Sequence, residues 1–289
     1  MDDALRIELF LTQALVAAES PGAPPGLAAA VRHAVFPGGA RVRPRLCLAV
    51  ARACALEPPP GALAAAAAIE MLHCASLVHD DLPCFDDATH RRGQPAVHRV
   101  FGERLAVLAG DALIVLAFQT VTRERGCLPE RRLALLTTLA ASAGMPRGIV
   151  AGQAWECEPE VTLSEYQRAK TGALFAAATV AGALSAGGDP APWQTVGDCI
   201  GEAYQVVDDF RDVIGSAQDL GKPTGRDAAL GRPNAVSRLG LNAARARLQQ
   251  LLAESLAAIP DCPGAEKFHA SVRAVMQPLL APIIARTAA

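Results

Sequence analysis

The sequence predicts an all-α protein, a single-domain helical bundle covering residues 1–289. Three observations predict it. The chain is 51% hydrophobic but only 4% aromatic, so its apolar residues are aliphatic, Ala and Leu foremost, and these favour helices. Apolar positions recur at helical spacing, and no stretch sustains the alternation of a strand. The Pro/Gly breaks are too short to be domain linkers and no internal repeat is visible, which leaves one bundle of packed helices.

The elements follow in order. Asp2 to Glu19 carries apolar residues at helical spacing and is stopped by Pro21, Pro24 and Pro25. A short helical segment, Gly26 to Val35, leads into FPGGARVRPRL, where Gly38 and Gly39 make a turn. Arg41, Arg43 and Arg45 crowd this stretch, and Pro44 sits near the first turn of the next helix, where a missing N–H costs little. Arginines at a helix N-terminus make an anion site. After Pro58 to Pro60, the span Ala62 to Leu82 lacks Gly and Pro and predicts a helix ending at Pro83. Gly102 to Arg125 is expected to be helical with an interruption at Gly110 and Asp111. Further helices are expected over Pro129 to Ala143, Gly148 to Cys157, Leu163 to Leu184 and Trp193 to Gly215. Ser216 to Arg232 is Gly-rich and polar and reads as a loop over a site, followed by helices at Ala243 to Ala258 and Ala265 to Ala285.

A net charge of −2 argues against nucleic acid as the main partner, since no stretch is broadly basic. Eight cysteines without a CxxC read as reduced, intracellular and mostly buried. MDDALRIELF is acidic and amphipathic, so it is not a secretory signal. Thr171 to Gly188 is uncharged but built mainly of small residues, which predicts a buried core helix rather than a membrane span. The expectation is a cytoplasmic protein that does not span a membrane.

The chemistry concentrates in SLVHDDLPCFDDATHRRG, residues 76–93. Asp80, Asp81, Asp86 and Asp87 fall within eight residues and are followed by Arg91 and Arg92. Two like charges about 4 Å apart repel by roughly 4 kcal/mol at an effective dielectric near 20, so the cluster calls for cations. Carboxylates without Cys or His suit Mg²⁺, which binds one or two carboxylates together with substrate phosphates. The arginine forks suit phosphate oxygens. His73 lies two helical turns before Asp80 on the same face. A second cluster, AYQVVDDFRDVIG, places Asp208 and Asp212 one turn apart beside Asp209. Two such acidic helix ends facing each other would cage metal ions around a diphosphate. Lys170 and Thr171 stand in an otherwise apolar helix, where a lysine either snorkels to solvent or meets an anion. Gln153 bonds either substrate oxygens or backbone, with the structural role favoured.

The motifs GGARVRP, DDLPCFD, RRG, KTGALF, YQVVDDFRD and GKPTGRD, spread over residues 36–238, resemble those of the short-chain trans-isoprenyl diphosphate synthases. Within that family the chain is most similar to bacterial geranylgeranyl diphosphate synthases of carotenoid and bacteriochlorophyll pathways. The resemblance implies an all-α fold around a central cavity, a homodimer, and Mg²⁺-assisted condensation of an allylic diphosphate with isopentenyl diphosphate. It implies that Asp80, Asp81, Asp86 and Asp208 bind Mg²⁺. It places the allylic diphosphate on Arg91, Lys170, Thr171, Gln205 and Lys222, and isopentenyl diphosphate on Arg43, His73 and Arg92. Asp80, Asp86, Lys170 and Lys222 would carry the chemistry.

One departure stands out. The family's glycine turn normally continues with Lys, and here the position is Ala40; Arg41, Arg43 or Arg45 is expected to compensate. Product length follows from geometry: Ala75 lies five residues before Asp80, about 7.5 Å along the helix axis. Shorter-product relatives carry an aromatic floor there. Ala75 and Ser76 are small and let a chain pass to Met71 and Leu72, the candidate stops, which predicts a twenty-carbon product. The rival readings are a farnesyl diphosphate synthase, a class I terpene cyclase, which the second aspartate cluster opposes, and a non-catalytic partner subunit, which Ala40 suggests.

Overall fold

The computed structural model of the protein describes residues 2–36, 38–55, 57, 59–160, 162–214 and 235–273. The first half holds α1 (Asp3–Ala18), α2 (Pro25–Val35), α3 (Val42–Cys54), α4 (Ala62–Asp80), α5 (Val97–Phe101) and α6 (Glu103–Arg123). The second half holds α7 (Pro129–Ala143), α8 (Ile149–Ala154), α9 (Leu163–Gln167), α10 (Ala173–Ala186), α11 (Pro190–Ile214), α12 (Ala235–Leu239) and α13 (Leu241–Ala257). Residues 265–273 are also helical. Among the described residues the strands are β1 (His90–Arg91) and β2 (Gln94–Pro95), an antiparallel pair. Their turn, Arg92 and Gly93, has positive φ at both positions (53° and 78°), as a tight two-residue hairpin turn requires.

Helices α4 and α10 form the centre. Ala64 to Ala68 are all buried, as are Ile69, Met71 and Leu72. A helix apolar on every side is a buried helix, and α4 packs on α3, α6 and α10 while α10 packs on α3, α7 and α11. Helices α3 and α10 contribute to both apolar clusters, the one around α4 and α6 and the one around α11 and α13. By length and composition Ala62–Asp80, Glu103–Arg123 and Leu163–Ala186 could each cross a membrane, but the first and last are 72% buried inside the bundle. The uncharged stretch after Thr171 is therefore a core helix, as expected. Helix α6 is only 44% buried.

Two expectations are corrected here. Helix α6 runs through Gly110 and Asp111 without interruption. Gly110 is there for space: a Cβ would overlap the ring of His79. Of the eight cysteines, none of which is in a disulfide, only Cys47, Cys74 and Cys127 are buried, while Cys84 and Cys157 are exposed. The expected loop Ser216 to Arg232, with Lys222 in it, and the side chain of Asp212 lie outside the described residues.

Arg41 precedes α3 in the left-handed region (φ 49°), and its side chain turns inward with 3% exposure. A buried charge must be paired. Arg41 donates to Glu8 of α1 (2.7 Å), to Glu70 of α4 (2.6 Å) and to the Val35 carbonyl (2.8 Å). Glu70, itself 2% exposed, also holds Arg92 at 3.3 Å.

Candidate active site

Helix α4 delivers Asp80 at its last position, and the chain then folds back on it. The Asp86 amide donates to the Asp80 carbonyl (2.9 Å) and the Ala88 amide to the Asp81 carbonyl (3.1 Å), which keeps Asp80, Asp81 and Asp86 in one compact turn. The hairpin brings Arg91 against Asp81, with Nε donating to both carboxylate oxygens (3.0 and 3.2 Å) and a further bond from Nη2. Asp81 is 2% exposed. Burial pushes its carboxyl above the usual range, opposed by Arg91. Of the four aspartates expected to hold metal, three lie in this first motif, and of these Asp81 is occupied in fixing Arg91. Asp80 and Asp86 are half-buried.

The opposite wall is the π-helical turn Arg168–Gly172 between α9 and α10. Such turns are often found at functional sites. Here the turn presents Lys170 and Thr171 side by side. Lys170 Nζ lies 3.5 Å from Asp80 and also pairs with Glu156. The Thr171 hydroxyl donates to Gln205 of α11 (2.6 Å), and Gln205 donates to Asp209 (2.8 Å). Gln167 donates to Asp209 as well (3.0 Å). The two acidic helix ends therefore meet at one turn, the first through Lys170 and the second through Thr171 and Gln167. Asp209 faces inward at 1% exposure and accepts the Ala235 amide that opens α12 (2.7 Å). The half-buried Asp208 remains on the side of Arg43, on which its charge acts.

Helix α8 and the 3₁₀ turn Trp155–Cys157 after it supply two groups that the sequence reading did not place here. Gln153 donates to Asp80 (2.9 Å) and Glu156 (3.3 Å), so its partners within the protein are carboxylates rather than the backbone. Glu156 was not singled out at all; its position after the pair Gly152–Gln153 was the available signal. Gly152 makes the arrangement possible, because any Cβ would overlap the backbone of Lys170.

The other flank holds the second group of cations. Arg43 is buried, 4.4 Å over the Phe175 ring, and its Nε has no hydrogen-bond partner among the described residues. The guanidinium of Arg92 lies against Gly39. The expected compensation for Ala40 is narrowed by this geometry. Arg41 is committed to Glu8 and Glu70, and Arg45 is exposed and acts on Asp3 of α1. Of the three arginines of that stretch this leaves Arg43 uncommitted to a carboxylate among the described residues, with Arg92 the cation against Gly39.

Desolvation, then the charges of Arg43, Arg92, Arg91 and Arg41, hold His73 well below the ordinary imidazole range. In the unfolded chain His73 gains a proton below about pH 6.5, whereas the folded site resists it. The unfolded state then binds more protons, so stability falls as pH drops through that value. His73→Gln should lose less Tm than the parent between pH 7 and pH 5.5. Equal losses in thermal melts would remove His73 from the account.

The chain-length candidates lie on α4. Met71 and Leu72 are fully buried and Ala75 is 1% exposed. Ser76 is half-buried, with its hydroxyl bonded to the His73 carbonyl (2.8 Å).

Oxygen donors for hard cations opposite a lysine and several guanidinium groups define an enzyme acting on phosphate esters. Residues 24–267 match the polyprenyl synthetase family, and the chain belongs to that family. It is 52% identical over 268 residues to a geranylgeranyl diphosphate synthase of Cereibacter sphaeroides, covering 93% of each chain. It is 48% identical to one of Rhodobacter capsulatus, with the same coverage. Its fold is similar to that of the Helicobacter pylori geranyltransferase complexed with magnesium and isoprenyl diphosphate, at TM-score 0.80 and 28% identity over 95% of this chain and 96% of that one.

Proposed function

We propose that this protein is a trans-prenyltransferase that condenses isopentenyl diphosphate with allylic diphosphates, up to farnesyl diphosphate, and releases geranylgeranyl diphosphate. The convergence of both acidic helix ends on Lys170 and Thr171 carries this reading. The relatives named for the twenty-carbon activity support it over a farnesyl product, as do the small residues at Ala75 and Ser76. Placement in carotenoid or bacteriochlorophyll synthesis follows from the motif resemblance.

The donor set fits Mg²⁺. The carboxylates of Asp80, Asp86 and Asp208 are hard oxygen donors. Among the described residues no group of three acidic, His or Cys side chains could hold a metal alone; Mg²⁺ would take its remaining oxygens from water and phosphate. Bound there, Mg²⁺ would neutralise charge on the departing diphosphate. Lys170, Thr171, Gln205 and Arg91 would hold the allylic diphosphate, with Lys222 joining from outside the described residues. Asp81 acts by orienting Arg91. Arg43, Arg92 and a neutral His73 would hold isopentenyl diphosphate. The allylic C–O bond breaks, the alkene of isopentenyl diphosphate attacks the cation, and a proton leaves to the released diphosphate. Fixed cations aimed at charge that develops in the transition state are the largest catalytic contribution of such a site, and the apolar flank of α4 excludes water from the carbocation.

The chain is proposed to work as one domain, supported by the helices shared between its two apolar clusters, in a cytoplasmic setting and as a homodimer. The outer side of α5 and α6 supports the dimer: Val100, Val107, Leu108 and Val115 are 42–55% exposed, a surface suited to a second copy. Leu108→Arg should then sediment as a monomer, and an unchanged dimer would place the interface elsewhere. The function is tested by supplying the purified chain with five-, ten- and fifteen-carbon allylic diphosphates, labelled isopentenyl diphosphate and Mg²⁺. Incorporation into a twenty-carbon diphosphate is expected. Hydrocarbon release would make it a cyclase, and silence would make it a partner subunit.

A further inference from the structure

The cluster at α8 goes beyond the aspartate motifs. Glu156 has a side chain only 12% exposed, in a short 3₁₀ turn that follows α8. It pairs with Lys170, accepts from the Tyr166 hydroxyl (2.6 Å) and accepts from Gln153 (3.3 Å). Asp80 accepts from the same two donors, Lys170 at 3.5 Å and Gln153 at 2.9 Å. Asp80 and Glu156 are therefore two carboxylates competing for one ammonium and one amide. Lys170 also lies 5.9 Å from the Tyr166 ring centre, and Tyr166, which donates to Glu156, is buried.

We infer that Glu156 is a positioning residue. It keeps Lys170 drawn away from Asp80, so that Asp80 stays available to cations while the ammonium remains within reach of the diphosphate they bring. The inference rests on the proposed prenyltransferase reading and adds to it a specific division of labour. Asp80 must exchange an ammonium for a metal ion when substrate enters, and a carboxylate of the same charge must receive what Asp80 releases. Glu156 is the acidic group that the structure places on Lys170 for this purpose. Without it, Lys170 would collapse onto Asp80, and the resulting ion pair would compete directly with the cation.

The test uses the full chain and a probe that does not turn over, inorganic pyrophosphate with Mg²⁺, titrated by calorimetry. Glu156→Gln should raise the Mg²⁺ concentration needed for half-maximal pyrophosphate binding by about tenfold. That factor corresponds to about 1.4 kcal/mol, near the lower end for a hydrogen bond to a charged group. Glu156→Asp, which keeps the charge on a shorter stem, should recover part of the loss. The decisive comparison is made with Lys170→Met already in place. There Glu156→Gln should have little further effect, because coupling between two residues vanishes once one partner is gone. In steady-state assays the KM for isopentenyl diphosphate should stay near that of the parent. An undiminished effect in the Lys170→Met background, or an equal shift in the isopentenyl diphosphate KM, would overturn the inference. If the parent chain itself fails to bind pyrophosphate with Mg²⁺, the prenyltransferase reading fails instead, and the two failures are distinguishable.

Discussion

Replacing Asp80 by alanine is expected to lower kcat by about three orders of magnitude, or roughly 4 kcal/mol of transition-state stabilisation. Asp80 is the carboxylate on which the site converges. It ends α4, it is met by Lys170 and Gln153 from the opposite wall, and Arg91 lies 4.0 Å away. Its removal takes away a cation ligand and leaves Lys170 with Glu156 alone. The KM for isopentenyl diphosphate should change little, because Arg43, His73 and Arg92 are untouched. Circular dichroism should remain that of the parent, since Asp80 is the last residue of its helix and, among the described residues, its side chain makes only these polar contacts. Retention of more than a tenth of the parent kcat would refute the assignment.

The second large effect is a change of product. Ala75→Phe should shift the main product from twenty carbons to fifteen. Ala75 is 1% exposed and about 7.5 Å below Asp80 along α4, near the depth at which an extending chain must pass. Beyond it, Met71 is fully buried, with its sulfur 3.8 Å from the Thr120 hydroxyl of α6, which makes it a packed stop. Each buried methylene contributes about 0.8 kcal/mol, so an open path draws the chain onward and a phenyl ring closes it. Overpacking of this kind costs about 1–3 kcal/mol of stability, which a thermal melt would register separately. Chromatography that finds the product distribution unchanged would move the floor to another helix.

The two acidic clusters were legible in the sequence because each is a short run of carboxylates at a helix end; Lys170 stood out only as a lysine in an apolar helix with two readings, and Thr171 and Gln205 gained their roles from the motif resemblance. The helices of the bundle were legible because apolar spacing and Pro/Gly breaks act locally. What was not legible depends on contacts far apart in the chain. Gln153 and Glu156 acquire their roles only when α8 is brought over Asp80, which precedes Gln153 by 73 positions. The direction of Arg41 depends on carboxylates of two other helices, so a row of three arginines could not reveal which one faces substrate. Glu70 was nearer to being readable: a lone acid within the alanine run of α4 implies a buried partner. The π-helical turn left no sequence signal, since the same residues could continue an ordinary helix.

The inward turn of Arg41 has a consequence for the boundaries of the working unit. The family match begins at residue 24, after α1, yet Glu8 of α1 supplies one of the two carboxylates on that buried guanidinium. A chain trimmed to the family match would leave Glu70 to satisfy Arg41 while still holding Arg92, one acid shared between two cations. The amino-terminal helix thus governs, at second hand, how firmly Arg92 is tethered beside the glycine turn.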